Sequence, residues 1–262
     1  MGKAISGVIV FILILVCNQV KSYEKKDILT SLANKDAVRQ MLLAPDDWVP
    51  FPPYRDRDAW QKITQIAGGK IIERGEKALT YKWQVVTATD YLAFDREGNR
   101  QVMQIPFNAN FQALTDLTLA ELTEGEGRFL DQIVNGVWFM CEMTSWSISA
   151  HVAVGQKPNT SLPSHEEQVI DLYAGNVASL MSWIYYFLKD ELDQVSPLVS
   201  ARLVSNIRER ILIPYMERDD YWWQAFDATP QTMVNNWNPW CNFNVLTSFL
   251  LVETNTELLA QA

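Results

Sequence analysis

The sequence predicts an all-α fold of antiparallel helical hairpins, which form a toroid when arranged around an axis. Three observations lead there. About nine segments space their apolar residues three or four apart, and none alternates with the two-residue period of a half-buried strand. Short turns such as Gly125-Glu126-Gly127 join successive segments, so neighbouring helices run antiparallel. From Tyr23 to Ala262 there is no linker, low-complexity tract, charge block or fixed repeat, and one domain is expected. Hairpins set around an axis leave a cleft at one end, lined by the connecting loops.

Residues 1–22 read as a secretory signal peptide, with Lys3 as the basic start, an apolar block over Val8–Cys17, and an exit at Val20-Lys21-Ser22. The block is shorter than the ~20 apolar residues of a membrane span. Cleavage after Ser22 leaves a periplasmic or secreted domain, residues 23–262, with no membrane attachment. Helical spacing then runs over Asp27–Leu43 and ends before Pro45, and the Pro- and aromatic-rich Ala44–Tyr54 reads as an ordered surface loop. Asp56–Ala67 is a helix stopped by Gly68-Gly69. Ala78–Phe94 is the next, with Leu79, Trp83, Val86 and Leu92 on its buried face, ending at Gly98-Asn99.

Phe111–Thr123 and Arg128–Met143 form a pair. Periodicity fails over Ser145–Glu166, which holds both histidines, His151 and His165, and is expected to be a long irregular loop of the kind that carries function. Val169–Leu188 is apolar all round and belongs at the centre of the fold. Leu198–Tyr215 and Asp219–Phe226 follow, punctuated by Pro197 and Pro214. In Val234–Leu251, Pro239 fits the first turn of a last helix, so Asn235–Asn238 should form the loop leading into it. Thr254–Ala262 shows no obvious terminating element.

The chain is acidic, with a net charge of -9 that becomes -11 once Lys3 and Lys21 are removed with the leader. Nothing points to nucleic acid, and a polyanion would need a local cleft whose potential differs from the net charge. Cys141 and Cys241 sit in apolar runs and read as buried thiols rather than a disulfide framework. No cofactor is implied: Gly125 and Gly127 are too few for a nucleotide loop. Two histidines without clustered cysteines give a metal little support.

Ten tryptophans are present, seven of them in the second half. Trp183 reads as core, whereas Trp146, Trp237 and Trp240, in or beside loops, can pack or stack on sugar rings. Asn235, Asn236 and Asn238 place neutral amides beside a positive helix end, a cradle for a carboxylate. Asn135, Trp138 and Glu142 share one helix face that feeds Trp146 and His151. His151 is the candidate for moving protons; His165, beside Glu166 and Glu167, looks like a helix-start residue. Glu217, Asp219 and Asp220 read as helix N-terminal residues or paired acids.

VNGVWFMCEMTSWSISAH at Val134–His151, ERDDYWW at Glu217–Trp223 and NNWNPWCN at Asn235–Asn242, in that order behind a leader, resemble the exported bacterial heparinase II/III-like polysaccharide lyases. The likeness runs from about Met41 to Glu253. It implies an N-terminal incomplete toroid and β-elimination at a uronic acid of an acidic polysaccharide. An Asn-Asn-His motif of such lyases falls on Asn235-Asn236-Trp237, which makes Asn236 the carboxylate-neutralising amide and puts Trp237 where relatives carry a histidine. His151 is then the substitute contact for substrate or leaving group, with Asn235, Trp237, Asn238, Trp240, Glu142, Trp146 and Trp138 as substrate-binding candidates. The family's catalytic tyrosine and β-sandwich would lie beyond Ala262, so the chain is expected to be the front part of a longer enzyme. A non-catalytic glycan-binding module is one alternative. An α/α-toroid glycoside hydrolase using Glu142 with Asp219 or Asp220 is the other.

Overall fold

The computed structural model describes residues 31–226, 228–229 and 233–262. The leader expected over residues 1–22 and the start of the Asp27–Leu43 helix lie outside these residues. All regular structure among the described residues is helical. In chain order the elements are α1 (Lys35–Met41), α2 (Pro45–Trp48), α3 (Arg57–Thr64), α4 (Gly68–Ala78), α5 (Ala88–Glu97), α6 (Gln101–Glu124) and α7 (Leu130–Glu142). They continue with α8 (Ser149–Gly155), α9 (Leu172–Val195), α10 (Pro197–Ile207), α11 (Ile213–Glu217), α12 (Trp237–Val252) and α13 (Thr256–Gln261).

Three long helices, α6, α9 and α12, run parallel. Tyr173 at the start of α9 meets Gln104 and Phe107 at the start of α6. Toward their ends Leu180, Trp183 and Phe187 face Thr115, Leu119 and Leu122 across one cavity. The same order holds between α9 and α12: Asn176 accepts from Trp240, and Tyr185 and Phe187 share a cavity with Leu251. The N-termini of all three therefore lie at one end of the molecule.

Shorter helices return antiparallel along their flanks. On α4, Gly68 lies against Thr123 and Gly75 against Ala120; a Cβ at Gly75 would stand 2.2 Å from that of Ala120, so only glycine permits this approach. From a turn at Ser196, α10 runs back along α9, with Pro197 in its first turn. Phe107, Leu114, Ile133, Val177, Met181, Leu203, Val245 and Phe249 join the helices into one buried core.

The structure corrects several boundaries. Ala78–Phe94 is not one helix: α4 ends at Ala78, a turn at Leu79-Thr80 leads into residues 81–87, which form no regular structure, and α5 starts at Ala88. The buried side chain of Asn110 explains the break, since its Oδ1 accepts from Gln84 N (2.8 Å) and its Nδ2 donates to Gln84 O (2.8 Å). A side chain thus replaces the helical partners of Gln84, and the β-branched run Val85-Val86-Thr87 favours the extended form. Thr87 then opens α5 through a capping box with Asp90.

Gly68-Gly69 begins α4 rather than only ending α3, and α6 starts at Gln101, running through Pro106. Ahead of Pro214, residues Arg208–Leu212 form a wide π turn, which lets the helical path from α10 into α11 continue past a residue that has no N–H. Within the expected Asp219–Phe226 helix only the 3₁₀ turn Trp222–Gln224 forms. The chain end carries α13, which packs on α1 and pairs Glu257 with Arg39.

The turn between α6 and α7 is organised by a buried carboxylate. Glu121 accepts from Gly127 N (2.9 Å), Phe129 N (3.2 Å) and the Tyr54 hydroxyl (2.5 Å). Gly125 and Gly127 hold φ of 71° and 80°, where L side chains are strained. Glu121→Ala would leave two amides and one hydroxyl unpaired. It is expected to lower unfolding free energy by about 3–5 kcal/mol in urea titration, with Glu121→Gln losing less.

Candidate active site

Asp171 is the N-cap of α9, and its Oδ1 accepts from Ala174 N (2.7 Å). Its Oδ2 accepts from Ile148 N (3.3 Å) and lies 2.6 Å from His151 Nδ1. The carboxylate is fully buried. Because a carboxylate only accepts, the Nδ1 of His151 carries the proton, and Nε2 is left without a hydrogen-bond partner among the described residues. The imidazole is 15% exposed, enough to reach a ligand.

The segment that delivers Asp171 is clamped from outside. Arg218 and Tyr221 donate to Gln168 O (2.8 and 2.9 Å), Trp223 Nε1 donates to Ile170 O (2.9 Å), and Ser147 Oγ donates to Val169 O (2.6 Å). The Glu217–Trp223 motif therefore works as a clamp. Its Trp223 stacks against Tyr215 and Tyr221, and burial pushes the Tyr221 hydroxyl above its ordinary range.

His151 itself is not on an irregular loop but on the short helix α8, in a segment expected from sequence to lack regular structure. The exit from α7 that leads there is fixed by Arg210, whose guanidinium donates to Cys141 O (3.2 Å) and Met143 O (2.8 Å) and lies 5.2 Å from the Trp146 ring. Trp146 is 2% exposed and donates to Met140 O (2.8 Å), so it is a core residue and the sugar-contact expectation for it is corrected.

Around His151 stand Trp237, edge-on at 4.5 Å between ring centroids, and Tyr173 at 6.0 Å. Trp222 packs on Trp237 at 5.0 Å, and the Tyr173 hydroxyl is paired with Gln104 Nε2. The asparagine loop is shorter than expected because α12 already begins at Trp237. Asn235 Oδ1 accepts from Trp237 N (2.9 Å), a local turn that fixes the helix start. Asn236 is exposed and makes no side-chain capping bond.

The Nδ2 of Asn238 donates to Trp223 O (2.9 Å), which ties the helix start to the clamp and takes this amide away from a substrate. Trp240 is 46% exposed, with its indole N–H donated to Asn176 Oδ1 (2.8 Å). The structure thus gathers His151, Asn235, Asn236, Trp237 and Trp240 at the shared N-terminal end of α9 and α12.

Trp138 and Glu142 are not brought to this group by any contact in the structure. Arg202 of α10 lies 4.4 Å from the Trp138 ring and pairs with Glu142, so both are engaged on the α7–α10 face. Glu142 lines a cavity with Val85, Tyr91 and Phe139, while Asp219 and Asp220 line a different one, and the acid pair of a hydrolase is not assembled. Asp220 is bound by Arg218 (2.8 Å), which holds its carboxyl below the usual range. Cys141 and Cys241 are buried free thiols, and burial pushes Cys141 up to about 12.

Sequence reasoning missed Asp171, Tyr173, Gln104 and Asn176. A signal for Asp171 was present: an aspartate directly before an apolar helical run is a cap. No sequence rule pairs it with His151.

No family model matches the chain, and no curated protein sequence matches it. Among the described residues no helix is long and apolar enough to cross a membrane, and no group of three or more His, Cys, Asp or Glu is placed to hold a metal ion.

Asp171→Ala removes a helix cap and strands the His151 N–H. It is expected to cost about 3–5 kcal/mol, against about 1–2 for Asp171→Asn, which retains an acceptor for Ala174 N. Thermal or urea unfolding of the two variants measures the difference.

Proposed function

We propose that the chain is the toroid portion of an exported polysaccharide lyase that cleaves uronate-containing acidic glycans by β-elimination. The observation that carries this reading is the His151–Asp171 dyad beside Trp237 and the Asn235-Asn236 helix start. Three parallel long helices with antiparallel partners are the arrangement expected of the inner and outer layers of an incomplete toroid, and their common N-terminal end is where its cleft would lie.

The chemistry follows from the parts. A uronate carboxylate seated at the start of α12 meets the exposed Asn236 amide and the positive helix end, which mask its charge and stabilise the developing enolate. The neutral imidazole of His151 takes the proton alpha to that carboxylate through Nε2, and Asp171 holds the tautomer and stabilises the imidazolium that forms. The electron pair of the C–H bond becomes the new double bond as the glycosidic C–O bond breaks. The departing oxygen takes a proton from an acid, for which Tyr173, packed against His151, is the candidate in this chain.

A non-catalytic glycan-binding module is the second reading, favoured by the exposed rings of Trp222 and Trp240. Unsaturated-uronate absorbance, followed over a panel of heparan, chondroitin, alginate and related polymers, separates the two. The lyase reading expects an absorbing product, with His151→Ala losing about 10²–10⁴-fold in rate, far beyond the stability lost with one donor to Asp171, and Asn236→Ala losing about 10²–10³-fold at unchanged thermal stability. Binding without product on every polymer selects the module instead.

A further inference from the structure

We infer that the cavity beyond Trp222 is a second sugar subsite, one that takes an uncharged pyranose ring. This deepens the reading of the His151 region as a glycan site and rests on it. The cavity measures about 310 Å³ and is lined, among the described residues, by Asp219, Asp220, Tyr221, Trp222, Ala225, Phe226 and Ala228. That volume is at the lower end of the roughly 300–1,000 Å³ of small-molecule sites.

Its connection to the dyad is a chain of rings: His151 touches Trp237, and Trp237 touches Trp222. Trp222 and Trp223 are neighbours with opposite roles. Trp223 is buried and hydrogen-bonded as part of the clamp, whereas Trp222 is 50% exposed and lines the cavity. Packing on Trp237 leaves half of this indole open to solvent, and a pyranose ring offers the apolar C–H face that an indole stacks on. Ala225, a non-glycine residue at φ 62°, turns the chain directly after the 3₁₀ segment and shapes the cavity wall.

The charge of the lining decides which ring fits. Arg218 is committed to Asp220 and Glu167, so it neutralises its own neighbours. Asp219 is exposed and has no ion-pair partner among the described residues. A carboxylate of this kind accepts hydrogen bonds from sugar hydroxyls and repels a second uronate. The region thus divides into an end that favours one carboxylate, at Asn236 and the helix starts, and a cavity that rejects one.

Two oligosaccharides of equal length test this by titration calorimetry: a hexasaccharide in which glucuronate alternates with N-acetylglucosamine, and a hexagalacturonate with a carboxylate on every ring. The wild type is expected to bind the alternating chain at least about fivefold more tightly. Trp222→Ala should weaken the alternating chain about five- to tenfold, and Asp219→Asn should narrow the gap between the two ligands. Equal affinities in the wild type, no binding of either, or a Trp222→Ala variant that binds like the wild type overturns the subsite. Product formation is scored separately, so failure of the lyase chemistry shows as missing product with these binding differences intact, and failure of the subsite as product with the differences gone.

Discussion

One buried carboxylate ties the site together. Asp171 starts α9, accepts from the Ile148 amide just ahead of α8, and orients the imidazole of His151. A buried anion is tolerable only when its oxygens are paired, so these three donors stand or fall together. The constraint reaches outward as well. Asp171 can meet His151 only if residues 168–170 run where Arg218, Tyr221, Trp223 and Ser147 hold them, and that makes the aromatic cluster around Trp223 part of the site's support.

The parallel course of α6, α9 and α12 gives this constraint its setting. Each helix brings an N-terminus to the same end, so positive backbone ends collect where the acidic chain as a whole would repel an anion. Among the described residues only Asp171, engaged on both oxygens, places a buried negative charge among them. Gln104, Tyr173 and Asn176 stand at the same end on α6 and α9 with polar groups that carry no charge.

The helical class and the position of the last helix were legible in the sequence because periodicity and a first-turn proline are local signals. The break at residues 79–87 was not, since it depends on Asn110, far along the chain, replacing the hydrogen bonds of Gln84. His151 stood out for its composition alone, but its partner did not, because an aspartate before an apolar run announces a cap and nothing about what its second oxygen touches. Trp146 and Trp240 illustrate the same limit. Both lie near loops in sequence, yet Arg210 and Met140 bury one, and Asn176 holds the other with its face in solvent.

The most direct measurement of this account is the protonation pattern of the His151 ring, read by nitrogen NMR of the imidazoles. With only two histidines in the chain, His151 is separated from His165 by a single substitution at either. The account predicts a ring whose Nδ1 proton is fixed toward Asp171 and exchanges slowly, and an Nε2 signal that moves when a uronate ligand is added. A ring protonated on Nε2, or one averaging between tautomers with no response to ligand, would contradict it.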